Sequence, residues 1–122
     1  MDSLQTVTRT ARSTDVEAIC AETGFSRFPV VGDGGELIGY LHIKDVLEPD
    51  PHGRAQVIEK TWIRSFADVH ETDTLVQTLQ TLQSQGAHMA RVVDDAGLVL
   101  GVATLEDVIE ELVGEIRDAA HH

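Results

Sequence analysis

Thr104 and Asp107 are the residues whose types and spacing best suit chemistry on a ligand. They lie in Gly101-Val102-Ala103-Thr104-Leu105-Glu106-Asp107, a strand-like run passing into a helix that Thr104 would cap. A helix start presents free backbone amides, and Thr104 adds a hydroxyl, so an anion such as phosphate is favoured there. Asp107 lies one turn further on. Its carboxylate can accept two hydrogen bonds, matching the adjacent hydroxyls of a ribose. The same spacing also serves a capping box, which needs no ligand. The residues alone leave both readings open.

Other constellations carry less. His42, His52, His70 and His88 show no metal-ligand spacing. Glu106, Asp107, Glu110, Glu111, Glu115 and Asp118 make an acidic helix face, ordinarily a solvated one, that could also attract Mg²⁺ or a partner domain. Ser, His and Asp are present without nucleophile-elbow or P-loop spacing, so a stand-alone hydrolase finds no support. Cys20, the single cysteine, excludes an internal disulfide and a cysteine-based zinc site, and it reads as a core residue.

Charge and composition narrow the partners. A formal net charge of −12 over 122 residues repels nucleic-acid phosphates. It also disfavours a bare polyphosphate, so a nucleotide here needs arginines, backbone amides or Mg²⁺ nearby. Hydrophobic residues make up 42% and aromatics 4%, which predicts an aliphatic core. No apolar run reaches the ~20 residues of a membrane span, and no signal peptide is visible. The expectation is a soluble chain in a reducing compartment, with His121 and His122 set aside as a tag remnant.

The elements that must position Thr104 and Asp107 come from an internal repeat. Gly24 recurs as Gly86, Gly39 as Gly101 and Asp45 as Asp107, each 62 positions on. Val30-Val31 match Val92-Val93, and Asp33, Gly35 and Val46 match Asp95, Gly97 and Val108 at that same offset. Such periodicity fixes architecture before any single residue does. In the first copy Thr14 and Glu17 have capping-box spacing, and Val16, Ile19 and Cys20 share a helical face that Gly24 ends. In the second, Thr74 and Gln77 repeat the cap, Leu75, Leu79 and Leu82 form the face, and Gly86 ends it. Two strands follow in each copy, Phe28–Val31 with Leu37–Leu41, and Ala90–Val93 with Leu98–Ala103. The turns at Asp33-Gly34-Gly35 and Asp94-Asp95-Ala96-Gly97 are short enough to make each pair an antiparallel hairpin.

A closing helix spans Ile43–Leu47, stopped by Pro49 and Pro51. Its longer counterpart carries Leu105, Val108, Ile109, Leu112, Val113 and Ile116. Opening strands are expected at about Leu4–Val7 and Asp68–His70, with Val57-Ile58 and Trp62-Ile63 leading into the second; core packing is the reading for Trp62. The fold class is therefore α/β (α+β), two βαββα repeats in pseudo-two-fold symmetry with sheets facing each other. Neither copy alone is large enough to bury its sheet, and facing copies leave clefts for a ligand. The division is residues 1–56 for the first motif with its linker, 57–118 for the second, and 119–122 for the tail.

The Gly-x-x-Thr-x-x-Asp pattern, the repeat and the element order resemble tandem CBS domains over nearly the whole chain. Two strings are closer still. Gly24-Phe25-Ser26-Arg27-Phe28-Pro29-Val30 and Thr104-Leu105-Glu106-Asp107-Val108-Ile109-Glu110-Glu111-Leu112-Val113-Gly114-Glu115-Ile116 are similar to stretches of the CorC/CNNM magnesium-transport family. The resemblance implies a cytosolic regulatory module, not an enzyme, belonging to a membrane Mg²⁺/Co²⁺ transport protein. It implies ATP or AMP, with Mg²⁺ as a further candidate, held by Thr104 and Asp107 of the second copy. The first copy would contribute Ser26, Arg27, Phe28 and Pro29, adenine resting on the Phe28 ring or on neighbouring backbone amides, although Phe28 by itself reads as a core residue. Arg27 is assigned to phosphate or to a surface salt bridge. Gln5 and Thr6 would line the cleft, and Glu106 would help hold Mg²⁺ or remain solvated.

The pseudo-equivalent cleft is expected to be weaker. His42 stands where the second copy has Thr104, although Asp45 is retained. His88, Met89 and Arg91 replace Ser26, Arg27 and Pro29, and Arg91 has no evident role. The implied partners are a second copy in a homodimer, a transmembrane domain and a C-terminal domain. The alternative is a ligand-free structural dimerisation module of the same parent protein.

Overall fold

Each copy of the repeat folds around a parallel strand pair and a hairpin. The computed structural model describes residues 5–47 and 56–120. The chain divides into two compact units, Met1–Ser65 and Phe66–His122.

In the first unit, β1 (Val7–Thr8) lies parallel to β2 (Arg27–Val31), which pairs antiparallel with β3 (Leu37–His42). Helix α1 (Ser13–Thr23) joins β1 to β2, and the short α2 (Ile43–Val46) follows β3. Alternation along β2 turns Phe28 and Val30 to one face, where they pack with Val7, Val16, Leu41, Val46 and Ile58. Pro29 would weaken a central strand by lacking an N–H. It is tolerated here because Tyr40, its partner on β3, exchanges its backbone hydrogen bonds with Arg64 on the far side. On the other side β1 begins only opposite Val30, so no strand residue faces the Pro29 nitrogen.

The second unit repeats this plan. Strand β4 (Ala67–His70) lies parallel to β5 (Met89–Val93), which pairs antiparallel with β6 (Val99–Thr104). Helices α3 (Leu75–Gln85) and α4 (Leu105–Ala120) complete it. Both hairpins carry a register shift at the same place in the repeat, at Val30/Val31 and Val92/Val93. Ala67, Val69, Leu82, Ala87, Ala90 and Val108 form the core, with Leu75, Leu79, Leu105 and Leu112 packed against it.

Caps follow the sequence at α3 and depart from it at α1. The Thr74 hydroxyl accepts the Gln77 N–H at 3.1 Å, and the Gln77 side chain accepts the Thr74 N–H at 2.9 Å. Gly24 and Gly86 end their helices at φ 76° and 63°, a conformation that suits glycine. At α1 the cap is Arg12, not Thr14: Asp15, rather than Glu17, accepts the Arg12 N–H at 3.0 Å. The start moves because Ser13 N–H donates to the Gln56 carbonyl at 2.8 Å, fixing the chain there before Thr14 is reached.

Residues 56–64 belong to the first unit's hydrogen-bond network. Ile58 N–H donates to the Ala11 carbonyl, and Arg64 bridges Tyr40 along the free edge of β3. A 3₁₀ turn at Lys60–Trp62 sets Trp62 and Ile63 against the core. The compact unit therefore runs past the boundary placed at residue 56, since these backbone groups find their partners in the first unit.

The expectation of an aliphatic core holds for the second unit and is corrected for the first. Phe25, Phe28, Tyr40 and Trp62 all fall in the first unit; Phe28 and Tyr40 are fully buried, and Phe25 and Trp62 flank the core. An average over the chain hid that concentration. Leu4, Pro49, Pro51, His52, His121 and His122 lie outside the described residues.

Candidate functional site

Thr104 is the last residue of β6 and the first stop before α4, opposite Met89 on β5. Leu105 N–H donates to the His88 carbonyl at 2.9 Å, tying the start of α4 to the residue before β5. The Thr104 hydroxyl accepts the Asp107 N–H at 3.1 Å. That bond uses the oxygen as an acceptor and leaves the O–H free to donate. Unlike Gln77 at α3, Asp107 returns no hydrogen bond to its cap among the described residues. Half of the capping-box reading is therefore met, and the Asp107 carboxylate stays available. Both residues are half-buried, and Glu106 between them is exposed.

The first unit holds the other predicted residues. Ser26 is exposed just before β2, its carbonyl accepting the Ile43 N–H at 2.8 Å, as His88 does for Leu105. Arg27 is half-buried and pairs with His42 across the hairpin. Pro29 is buried. Phe28 is 0% exposed within the first unit's own core. Its ring is thus not presented to a ligand, because strand alternation turns it toward α1. Of the two adenine contacts expected there, only the backbone of this stretch remains. Gln5 and Thr6 are exposed and precede β1.

The corresponding corner of the first unit is built differently. His42 caps α2, its Nδ1 accepting the Lys44 N–H at 3.0 Å. Burial pushes the His42 imidazole below its ordinary pKa, helped by Arg27, Arg64 and Lys44 and opposed by Asp45. Both Asp45 oxygens are taken by Arg64, Nε to Oδ2 at 2.8 Å and Nη2 to Oδ1 at 3.0 Å. Hydrogen bonding to that guanidinium holds the Asp45 carboxyl below the ordinary carboxylate value, and the same bond raises Arg64.

Arg91 gains a role that its sequence position does not show. Its guanidinium grips Asp68 on β4 through two hydrogen bonds of 2.7 and 3.0 Å and lies 5.6 Å from the centre of the Phe66 ring. It ties the two parallel strands together at a half-exposed site, where such pairs contribute about 0.2–1 kcal/mol. Arg64 and Asp68 were not singled out by sequence; a pairing across 19 or 23 residues leaves no local spacing to read. Among the described residues no group of three or more His, Cys, Asp or Glu could hold a metal ion. No helix among them is long and apolar enough to cross a membrane.

Two copies of one strand–helix–hairpin–helix unit, each placing an Asp three residues into its last helix, define the class. The sequence matches the CBS domain family over residues 2–50 and 63–114, and the chain belongs to that family. Its tandem pair is of the CorC/CNNM type. The CBS domain of a bacterial CNNM/CorC family Mg²⁺ transporter, solved in complex with ATP, superposes with a TM-score of 0.80 at 30% identity, covering 92% of this chain and 80% of that one. An uncharacterised protein of Mycobacterium tuberculosis is 44% identical over 106 residues, 87% of this chain and 30% of the relative. The magnesium and cobalt efflux protein CorC of Buchnera aphidicola is 37% identical over 101 residues, 82% of this chain and 35% of that protein. The chain thus spans about a third of the length of these curated relatives.

Proposed function

We propose that this chain is a regulatory module that binds an adenine nucleotide and performs no chemistry itself. The observation that carries the reading is the start of α4, where the Thr104 hydroxyl caps the helix while the Asp107 carboxylate has no side-chain partner among the described residues. A carboxylate in that position suits a ribose diol, and the neighbouring hydroxyl and amides suit a phosphate. The similarity to a CBS domain solved with ATP supports the same assignment. Glu106, exposed beside Asp107, is the residue for a nucleotide-bound Mg²⁺.

The parent protein in this reading is a CorC/CNNM-like Mg²⁺/Co²⁺ transport protein, with this module on the cytoplasmic face, next to a transmembrane domain and a C-terminal domain. Nucleotide regulates it only through unequal affinity for two states of the module. Calorimetric titration with ATP, with and without Mg²⁺, tests the proposal. Heat that vanishes in Asp107→Ala is expected; no heat at millimolar ATP overturns it.

A second reading has one observation in its favour. Ile109, Val113 and Ile116 form an exposed apolar stripe on α4, 41–67% accessible. That stripe suits pairing with a second copy, and a purely structural dimerisation module needs no more. The titration separates the two readings.

A further inference from the structure

The repeat places an Asp three residues into its last helix twice, and the two copies use it differently. The Asp107 carboxylate has no ion pair among the described residues, whereas Asp45, its counterpart 62 positions earlier, has both oxygens on the Arg64 guanidinium. Arg64 is not held there by its side chain alone. Its N–H and C=O exchange hydrogen bonds of 2.8 and 2.9 Å with Tyr40, so the backbone delivers the guanidinium to α2. Gly39 makes room for that approach, since a Cβ there would meet the Ile63 side chain and lie 2.6 Å from the Arg64 carbonyl oxygen. The equivalent Gly101 has nothing within 4 Å, so this strap is a feature of the first unit.

A guanidinium fork offers a carboxylate two parallel N–H donors, the pattern that the two hydroxyls of a ribose would offer. Charge assistance makes the guanidinium the stronger of the two ligands. We infer that Arg64 is a built-in occupant of the first repeat's sugar-binding acid, closing that position so that the chain takes one adenine nucleotide and not two. The inference rests on the proposed nucleotide site at Asp107 and adds a cause for its singularity beyond the missing hydroxyl at His42. Two features separate the copies, and each can be reversed on its own.

Counting nucleotides per chain by calorimetric titration with ATP tests this. His42→Thr rebuilds the Thr-x-x-Asp pattern in the first repeat and leaves the strap in place. His42→Thr/Arg64→Gln also removes the fork, since glutamine cannot reach Asp45 with two parallel donors. The expected counts are one for the wild type, one for His42→Thr and two for the double variant, falling back to one when Asp45→Asn is added. A count of two for His42→Thr alone, or of one for the double variant, overturns the inference. Arg64→Ala in the same background must give the count of the glutamine variant; circular dichroism shows which of them is folded, and the backbone bridge to Tyr40 needs neither side chain. A wild type that binds no ATP overturns the site at Asp107 and not the strap, which then stands or falls on whether the double variant gains a site.

Discussion

At the level of single side chains, Thr104 offers two groups at the start of α4. Its oxygen caps α4 and its O–H is open to a ligand. Thr104→Ser keeps both groups, so nucleotide binding should survive within a few-fold. Thr104→Ala removes both; stability should fall by about 1 kcal/mol, the usual worth of such a cap, and ATP affinity should fall with it. Denaturant melts and titrations on the two variants check this. His42 offers a pH prediction. Its imidazole is held below the ordinary pKa of about 6.5, so the folded state prefers it neutral. The unfolded chain then binds more protons as pH falls, and stability declines from just above 6.5 down through the folded pKa. His42→Asn keeps a side-chain acceptor for the Lys44 amide without titrating, and its melting temperature should fall less between pH 7 and 5. Asp45, also depressed, stabilises at neutral pH and loses that contribution only as pH drops through its own lower value, so the two steps are distinct.

Among the elements, the repeated glycines do different work. Gly39 lies where the Ile63–Arg64 segment crosses β3, and Gly101 faces open space. Gly39→Ala should therefore cost about 1–3 kcal/mol, the range for overpacking, while Gly101→Ala should change stability by no more than about 0.5 kcal/mol. Matched thermal melts of the two variants decide it. Helix α4 is two-faced. Leu105, Val108 and Leu112 pack on the second unit's core, and Ile109, Val113 and Ile116 are exposed. Its apolar residues were legible as helix; that they serve two faces became visible only with the sheet in place.

For the molecule as a whole, a contiguous exposed apolar stripe marks an interaction surface. If a second copy covers it, Ile109→Glu/Ile116→Glu should convert a dimer to a monomer while the circular dichroism spectrum is unchanged. Sedimentation velocity would show the change. A wild type that already sediments as a monomer would refute the dimer. Binding should also register globally. ATP at about 100 times its Kd adds roughly 2.7 kcal/mol to the stability of the binding-competent fold, so the melting temperature should rise with ATP in the wild type and stay fixed in Asp107→Ala.

The sequence by itself determined the duplicated unit, its strand and helix order, the hairpins, the α3 and α4 caps and the Thr104–Asp107 pair. Each is written in spacings of a few residues, where a cap, a turn or an alternating strand states its own conformation. Tertiary structure alone decided that Arg64 closes on Asp45, that Arg91 grips Asp68, that the Phe28 ring enters the core and that α1 starts at Ser13. These depend on strand register and on the route of residues 56–64 back along β3. A shift of one residue in register would send every strand side chain to the opposite face, and no local spacing records which register the sheet adopts.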